Sequence, residues 1–256
     1  MASRRLTGPT ATRRLLGGGH TVPVEQRSIV ADEPDNGQPK RERAMVAQSL
    51  MLDAALDLIA EGGLQRATLA RVGERAGYSR GLADYHFGSK NDLVEKLIRL
   101  VASRWIRSVR EQGLDRMTGS DALLAVVTLY MQRLESDVRD AHVLQVLAAE
   151  AVGLDPEIRE RLTQHDELFR RSLHASIVEA QQDGSFAAHH DPVRASIMIE
   201  GLLRGIASQY IVSGHSFRPT EMTSMLIDTL MAGLASPGGM ATRLAASRAP
   251  AAESDT

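Results

Sequence analysis

The spacing of apolar residues constrains the fold of this chain more than any other feature of the sequence. Leu52, Ala55, Leu56 and Ile59 recur at intervals of three and four residues before Gly62, which is the pattern of one face of an amphipathic helix. Similar spacing recurs from about residue 42 to residue 236, and no segment alternates apolar and polar residues as a half-buried strand does. We therefore predict an all-α fold of about nine helices.

The composition excludes several classes of protein. The chain has 256 residues, with 30 Lys and Arg against 32 Asp and Glu, and its net charge of −2 argues against binding nucleic acid through overall charge. A local basic patch remains compatible with that total. Cysteine is absent, which excludes disulfides and thiolate metal sites and favours a reducing cytoplasm as the location. No stretch approaches the ~18–20 apolar residues of a membrane span, so we expect no membrane partner.

Both ends of the chain lack helical periodicity. Residues 1–41 contain four prolines and several glycines, and residues 237–256 begin with the sequence Pro-Gly-Gly. These features predict a disordered N-terminal arm over 1–41 and a disordered tail over 237–256. The arginines near the N-terminus also leave open an organelle transit peptide or a basic arm that contacts DNA.

The segment from Thr68 to Phe87 is the most informative part of the sequence for function. It predicts two short helices, the first capped by Thr68 and the second by Ser79, joined by a turn at Gly77. Gly73 provides a small residue where the two helices would cross. This is the spacing of a helix-turn-helix, whose second helix lies in the DNA major groove. The spacing alone fits an ordinary helical hairpin equally well.

The local charge favours the DNA-binding alternative. Residues 66–80 carry a net charge of +3, since they contain four arginines and one acid. These residues are Arg66, Arg71, Arg75, Arg80 and Glu74. Lys90 follows at the start of the next predicted helix, where its ammonium group and the free backbone N–H groups could hold a phosphate. The exposed side chains expected on the second helix are those of Arg80, Asp84, Tyr85 and His86.

The motif resembles that of a known family. Ser79-x-Gly81 is followed by the run Tyr85-His86-Phe87-Gly88-Ser89-Lys90 and preceded by Thr68 and by Ala76-Gly77-Tyr78. This combination resembles the TetR family of bacterial transcriptional regulators, from near Met51 to about Ile98. The resemblance implies a helix-turn-helix DNA-binding domain over 42–98, with the motif at 68–87, and a helical effector-binding and dimerisation domain over 99–236.

The resemblance also implies a function. The chain would be a sequence-specific transcriptional regulator and not an enzyme, a repressor that binds a palindromic double-stranded DNA operator as a homodimer and is released by a small-molecule effector. No cofactor and no metal are expected. The residues implied to face DNA are Thr68, Ser79, Arg80, Tyr85, His86 and Lys90, to which we add Gly81 and Asp84 from the same segment.

Three positions depart from the family pattern. Ala83 stands where a bulky apolar residue is usual, Asp84 where an aromatic residue is usual, and Gly73 where alanine is usual. A carboxylate on the recognition helix repels phosphate unless it has a partner. Asp84 therefore either pairs with Arg80, four residues before it, or accepts a hydrogen bond from a cytosine amine. We favour the ion pair, with some selection of bases.

An effector pocket is predicted from four large side chains in the C-terminal part of the chain. Trp105, Tyr130, His165 and Phe169 lie on or near the apolar faces of predicted helices. Their aromatic faces and polar groups could orient a ligand in an apolar cavity. Each of them alone also fits an ordinary core position, with His165 bonded to a backbone carbonyl.

A subunit interface is predicted on the last two helices. Gly201 and Gly205 are four residues apart, which allows close helix approach. The other predicted interface residues are Ile206, Gln209, Met222, Leu226 and Leu230. Packing within one chain is the alternative. We favour a dimer because one short recognition helix contacts few bases, whereas a two-fold dimer contacts paired half-sites.

Other functions have weaker support in the sequence. An enzyme would need a nucleophile with its base, a P-loop or a metal motif, and none appears. A helical adaptor that binds a different protein through the last two helices remains an alternative. His189, His190 and Asp191 are adjacent and lack the i, i+4 spacing of helical metal ligands, so a solvated turn with an Asp cap is favoured over a metal site.

Overall fold

The fold comes from a computed structural model, which describes residues 40–153 and 156–239. This part of the chain contains nine α-helices of seven or more residues and no β-strand, which confirms the predicted all-α class. The helices are α1 (Lys40–Gly62), α2 (Leu69–Arg75), α3 (Arg80–Phe87), α4 (Lys90–Glu111), α5 (Gly119–Ser136), α6 (Val138–Gly153), α7 (Pro156–Gln182), α8 (Pro192–Val212) and α9 (Thr223–Leu234). Short 3₁₀ turns occupy Leu64–Arg66, Leu114–Arg116 and Pro219–Met222.

The predicted boundaries need small corrections at three places. Helix α1 begins at Lys40, inside the segment predicted as a disordered arm, because residues 40–46 contain neither glycine nor proline to end it. A proline favours the first position of a helix, so Pro219 predicts the start of the last helix, but it starts a 3₁₀ turn instead and the helix begins at Thr223. Residues 237–239 are helical, so order extends past the predicted start of the tail. The rest of the predicted arm and tail, 1–39 and 240–256, lies outside the described residues.

Side-chain caps set the starts of the short helices. The Thr68 hydroxyl accepts a hydrogen bond from the Arg71 amide at 3.3 Å, and the Ser79 hydroxyl accepts one from the Leu82 amide at 3.2 Å. Ser89 accepts from the Asp92 amide at 3.1 Å and donates to its carboxylate at 2.7 Å. Such caps satisfy the amides that a helix start leaves without partners. The predicted caps of α2 and α3 are therefore confirmed, and Ser89 caps α4 in the same way.

Two large apolar cores, and a small third cluster of Leu134, Ala207 and Tyr210, hold the helices together. The first surrounds α1 and includes buried side chains of α2, α3, the N-terminal half of α4, α6 and the start of α7. The second is built from α5, α7, α8 and α9. Within the first core, Met51, Leu56 and Ile59 of α1 are fully buried, as is Leu97 of α4. Helix α1 therefore holds the short helices α2 and α3 against α4 and α6.

Candidate nucleic-acid interface and internal cavity

Helices α2 and α3 meet at Gly73. A Cβ atom at this position would lie 2.9 Å from the Ser79 carbonyl oxygen, closer than real Cβ contacts come. The Tyr78 amide donates to the Gly73 carbonyl at 2.8 Å and closes the turn. Gly77 has a φ of 80°, in the left-handed region where glycine carries no steric cost. The two glycines therefore permit the tight turn and close helix crossing that the sequence predicts.

Most of the residues predicted to face DNA lie on an exposed surface of α3 and its N-terminal cap. Ser79, Arg80, Gly81, Asp84 and Tyr85 are all exposed. Tyr85 is 81% exposed, which is unusual for a large aromatic residue. Thr68 is also exposed, at the start of α2. The structure thus brings six of the eight predicted residues to solvent.

His86 and Lys90 are half-buried. Burial lowers the pKa of His86, and the nearby ammonium group of Lys96 lowers it further, so the imidazole is neutral at pH 7. The Nε2 atom of His86 is buried and has no hydrogen-bond partner within the described ranges. The Lys90 ammonium donates to the Gln65 side chain at 3.3 Å. These two side chains lie at the junction of α3 and α4 rather than on the open face of α3.

Asp84 pairs with Arg80 in the structure. The Arg80 Nε and Asp84 Oδ2 atoms are 3.4 Å apart, one helical turn from each other. Of the two alternatives for Asp84, the ion pair is therefore present in the free protein. An exposed pair of this kind contributes only ~0.3–0.5 kcal/mol, so DNA could displace it at little cost.

The charge count along the sequence overstates the positive charge of this surface. Arg75 forms a two-pronged pair with Glu61 of α1, and this pair lowers the pKa of Glu61 and raises that of Arg75. With Arg80 beside Asp84 as well, two of the four arginines have carboxylate partners. Arg66 and Arg71 remain exposed. The Glu61–Arg75 contact spans 14 residues, and no local sequence pattern predicts it.

A cavity of about 550 Å³ lies among α4, α5, α6, α7 and α8. All four residues predicted for an effector pocket line it: Trp105, Tyr130, His165 and Phe169. The Trp105 ring lies 5.6 Å from that of Phe169 and 6.3 Å from that of Tyr130, measured between ring centroids. The structure therefore brings residues from three helices into one aromatic wall, at distances typical of favourable ring pairs.

The polar groups of the cavity are of two kinds. Burial raises the pKa of Tyr130 to about 12 and lowers the pKa of His165, so both side chains are neutral at pH 7 and can donate or accept hydrogen bonds. The cavity also contains buried acids that the sequence analysis missed, namely Asp140, Asp166 and Glu200. Each acid pairs with at least one arginine on another helix, and sequence periodicity gives no signal for those partners; only Glu200 also has a partner at i, i+4, Arg204.

The predicted subunit interface is corrected by the structure. Leu226 and Leu230 are only 7% and 2% exposed because they pack inside the second core of the same chain. Ile206 and Met222 are half-buried. Gly201, Gly205 and Gln209 are exposed on α8. Large apolar side chains are also exposed on α8 and α9: Val193, Ile197, Met198, Leu202, Val212 and Met225.

The described residues offer neither a cluster of metal ligands nor a membrane-spanning helix. Across residues 40–153 and 156–239, no group of three or more His, Asp or Glu side chains is placed to hold a metal ion. Asp191 caps α8 by accepting a hydrogen bond from the Val193 amide at 2.9 Å, as predicted for this turn. None of the described helices is both long and apolar enough to span a membrane.

Two family profiles match the chain. Residues 51–97 match the family described as bacterial regulatory proteins of the tetR family. Residues 119–235 match the C-terminal region of BetI-type transcriptional repressors. The first match covers the helix-turn-helix, and the second covers most of the helices around the cavity.

Curated and solved proteins show the same similarity. The fatty acid metabolism regulator protein of Bacillus subtilis is 20% identical over 72% of this chain and 93% of its own length. The transcriptional repressor AcnR of Corynebacterium efficiens is 26% identical over 73% of this chain and 92% of its own. The crystal structure of FadR from Bacillus subtilis in complex with stearoyl-CoA covers 72% of this chain and 98% of that chain, with a TM-score of 0.66 at 20% identity.

Proposed function

The chain belongs to the TetR family of transcriptional regulators, and from this membership we propose that it is a homodimeric repressor whose palindromic operator is released when a small molecule enters the cavity. One observation carries the proposal. Helix α4 joins the two sites, since its N-terminal half packs against the helix-turn-helix and its C-terminal half lines the cavity. A ligand that moves α4 therefore moves the recognition helix.

The proposed DNA contacts lie on the exposed face of α3 and around it. Arg80 is suited to donate to a guanine, and Tyr85 is suited to contact phosphate, sugar or a thymine methyl group. Thr68, Ser79, Gly81 and Lys90 are proposed to lie along the phosphate backbone, where small polar groups and backbone amides position the protein. His86 is proposed to support Tyr85, because the two rings are 5.4 Å apart and the imidazole is half-buried.

The proposed mechanism is a shift between two populations of the dimer. Two recognition helices can occupy successive major grooves only when they are about 34–36 Å apart. A ligand that binds better to a conformation with another separation shifts the dimer toward it and lowers the affinity for DNA. The fixed link between the two sites is the continuous helix α4, from Lys90 to Glu111.

We infer an effector with an apolar body and a few polar groups. The cavity wall is mainly aliphatic and aromatic, and three of its large apolar side chains, Ile106, Met117 and Leu168, are between 41% and 61% exposed. Exposed apolar residues beside a cavity favour entry of an apolar ligand. The solved FadR of Bacillus subtilis holds stearoyl-CoA, which is consistent with this ligand class. We place the protein in the cytoplasm, with its DNA target.

Selection of DNA tests the proposed function directly. The full chain, incubated with a random duplex library at low salt, is expected to enrich a palindrome, and a mobility shift should confirm binding to that sequence upstream of its own gene. Affinity should fall steeply as salt rises, because bound phosphates release counterions. Enrichment of no palindrome at low salt would contradict the proposal.

A substitution on α8 tests the proposed dimer. A Cβ atom at Gly205 meets nothing within 4 Å in one chain, so Gly205→Leu should leave the protomer folded. In a dimer that brings two α8 helices close together, the added side chain would hold them apart. We expect light scattering to show monomers and operator affinity to fall at least about tenfold. The matched control is Gln164→Leu, at an exposed position of α7, and it should remain dimeric. If Gly205→Leu were dimeric and bound operator as tightly as the wild type, this face of α8 would be excluded as the interface.

Filling the cavity should separate ligand binding from DNA binding. Val126 lines the cavity from α5, and Val126→Trp places a large ring in the space of the ligand. Using the fluorescent dye anilinonaphthalene sulfonate as the probe, we expect its affinity to fall at least about tenfold while operator affinity changes less than about twofold. Gln132→Trp, on an exposed position of the same helix, should preserve both. Equal dye binding by the two variants would place the ligand site elsewhere.

A further inference from the structure

A network of ion pairs connects the cavity to the DNA-binding helices. We call it the Asp140 network, and its members are Asp53, Asp57, Arg104, Arg133, Asp137, Arg139 and Asp140. Arg104 Nη1 lies 2.7 Å from Asp140 Oδ1, and Arg104 Nη2 lies 2.6 Å from Asp53 Oδ1. One guanidinium group on α4 therefore holds carboxylates of α6 and α1 together.

One end of the Asp140 network lies in the cavity. Asp140 lines the cavity and is only 6% exposed. Its second oxygen, Oδ2, accepts from Arg133 Nη2 of α5 at 3.2 Å, and Arg133 lines the cavity too. Arg133 also donates to the Ser108 hydroxyl of α4 at 2.8 Å. A ligand that contacts Arg133 thus touches the direct partner of Asp140.

The other end of the network is on α1. Asp53 and Asp57 lie one turn apart on this helix and form ion pairs with two arginines, one on α4 and one on α6. Arg139 Nη1 of α6 lies 2.9 Å from Asp57 Oδ1, and Arg139 Nη2 lies 3.4 Å from Asp53 Oδ1. Helix α1 buries its apolar face against α2, α3 and α4. A change in these pairs therefore acts on the helix that holds the recognition motif.

The second acidic group of the cavity provides a contrast. Asp166 pairs with Arg204, and Glu200 pairs with Arg170 and Arg204. All of these residues belong to α7 and α8, and these ion pairs join only those two helices. Both groups contain buried carboxylates, but the Asp140 network alone reaches α1 through Arg104.

We propose that Asp140 is a positioning residue that transmits occupancy of the cavity to the DNA-binding helices, by sharing Arg104 with Asp53 and Arg133 with the ligand. The inference rests on the proposed function and adds its regulatory path. A buried carboxylate that loses one arginine partner binds the remaining arginine more tightly, because an unpaired buried charge is costly. When a ligand engages Arg133, Asp140 draws Arg104 away from Asp53, and α1 is released from α4.

A double-mutant cycle on operator affinity tests the shared arginine. Asp140→Asn should weaken operator binding about tenfold, because the bridge that Arg104 forms between α1 and α6 is then broken. Asp53→Asn should have a similar effect. The double variant should bind operator no less tightly than the single variant of lower affinity, because both substitutions remove partners of Arg104. Additive losses would overturn the proposal. Glu135→Gln is the matched control, because the partners of this acid are Arg218 and Thr220, which lie outside α1.

The single tryptophan reports the same link from the cavity side. Trp105 lines the cavity and is the chain's one tryptophan, so its emission should change when operator DNA binds, by reciprocity of the coupling. That change should fall at least about threefold in Asp140→Asn and persist in Glu135→Gln. A purely structural role for Asp140 would lower the melting temperature without removing the DNA-dependent change in emission.

A second variant covers the case in which Asp140→Asn does not fold. Arg104→Lys keeps the charge but lacks the planar fork that bridges two carboxylates, so it should also lose the emission change while remaining folded. If wild-type protein binds no operator, the proposed function fails and this inference with it. If wild-type protein binds operator while Asp140→Asn and Arg104→Lys respond as wild type does, the function stands and the Asp140 path is wrong.

Discussion

Replacing Arg80 by alanine is expected to weaken operator binding about a hundredfold or more. A guanidinium group that donates twice to a guanine contributes about 1–3 kcal/mol, and a dimer loses two such contacts at once. The Arg80 side chain is 75% exposed at the start of α3, so its removal leaves the protein core unchanged. The measurement is a titration of the selected operator by fluorescence anisotropy, at one fixed salt concentration.

Arg171 supplies a matched control for this substitution. Its side chain is also 75% exposed, and it forms an i, i+4 pair with Glu167 at 3.5 Å, against 3.4 Å for Arg80 and Asp84. Arg171→Ala therefore removes the same charge and the same kind of pair from α7, and operator affinity should change less than about twofold. Equal losses in the two variants would mean that Arg80 acts through general charge. Loss of discrimination at one operator position in Arg80→Ala alone would identify its base.

Replacing Gly73 by valine is expected to destabilise the protein by about 2–3 kcal/mol and to abolish operator binding. The Cβ atom alone would lie 2.9 Å from the Ser79 carbonyl oxygen, and the two methyl groups of valine extend further into the turn. Because the obstacle is backbone, no rotamer change can relieve the clash, and α2 and α3 must separate. Urea denaturation measures the loss of stability, and the operator titration measures the loss of binding.

Ala70→Val on the same helix separates this clash from the weaker helix propensity of valine. Ala70 is exposed, so the substitution introduces the same branched side chain without a steric clash. It should cost less than about 1 kcal/mol and leave operator binding intact. If Gly73→Val were as stable as Ala70→Val and bound operator equally well, the close crossing of α2 and α3 would have no role in the motif.

Local features of the fold could be predicted from the sequence because their causes lie within a few residues. The caps by Thr68, Ser79 and Ser89 depend on hydroxyl groups three residues from the amides they bind. Gly77 was expected in a tight turn and has a positive φ. The Arg80–Asp84 pair follows from i, i+4 spacing on one helix. The boundaries that needed correction, at Lys40, Pro219 and residue 237, are also the kind that local signals define least well.

The candidate sites were predictable in part. Trp105, Tyr130, His165 and Phe169 were selected as large side chains near apolar faces, and the structure places all four on one cavity. The interface residues Leu226 and Leu230 were misplaced, because an apolar stripe does not indicate whether it packs within the chain or against another. The pairing of Glu61 with Arg75 removed charge that a count along residues 66–80 had included.

The sequence by itself determined that this chain is helical, where its short helices begin, and which family its helix-turn-helix resembles. Those properties follow from side-chain periodicity, caps and glycines, whose effects act over one or two helical turns. Only the tertiary structure decided which acids are buried in the cavity and which arginines bind them. Asp53 and Arg104 are 51 residues apart, and Arg104 and Asp140 are 36 apart. Such partners meet only because apolar burial brings α1, α4 and α6 together, and no spacing along the chain records that contact.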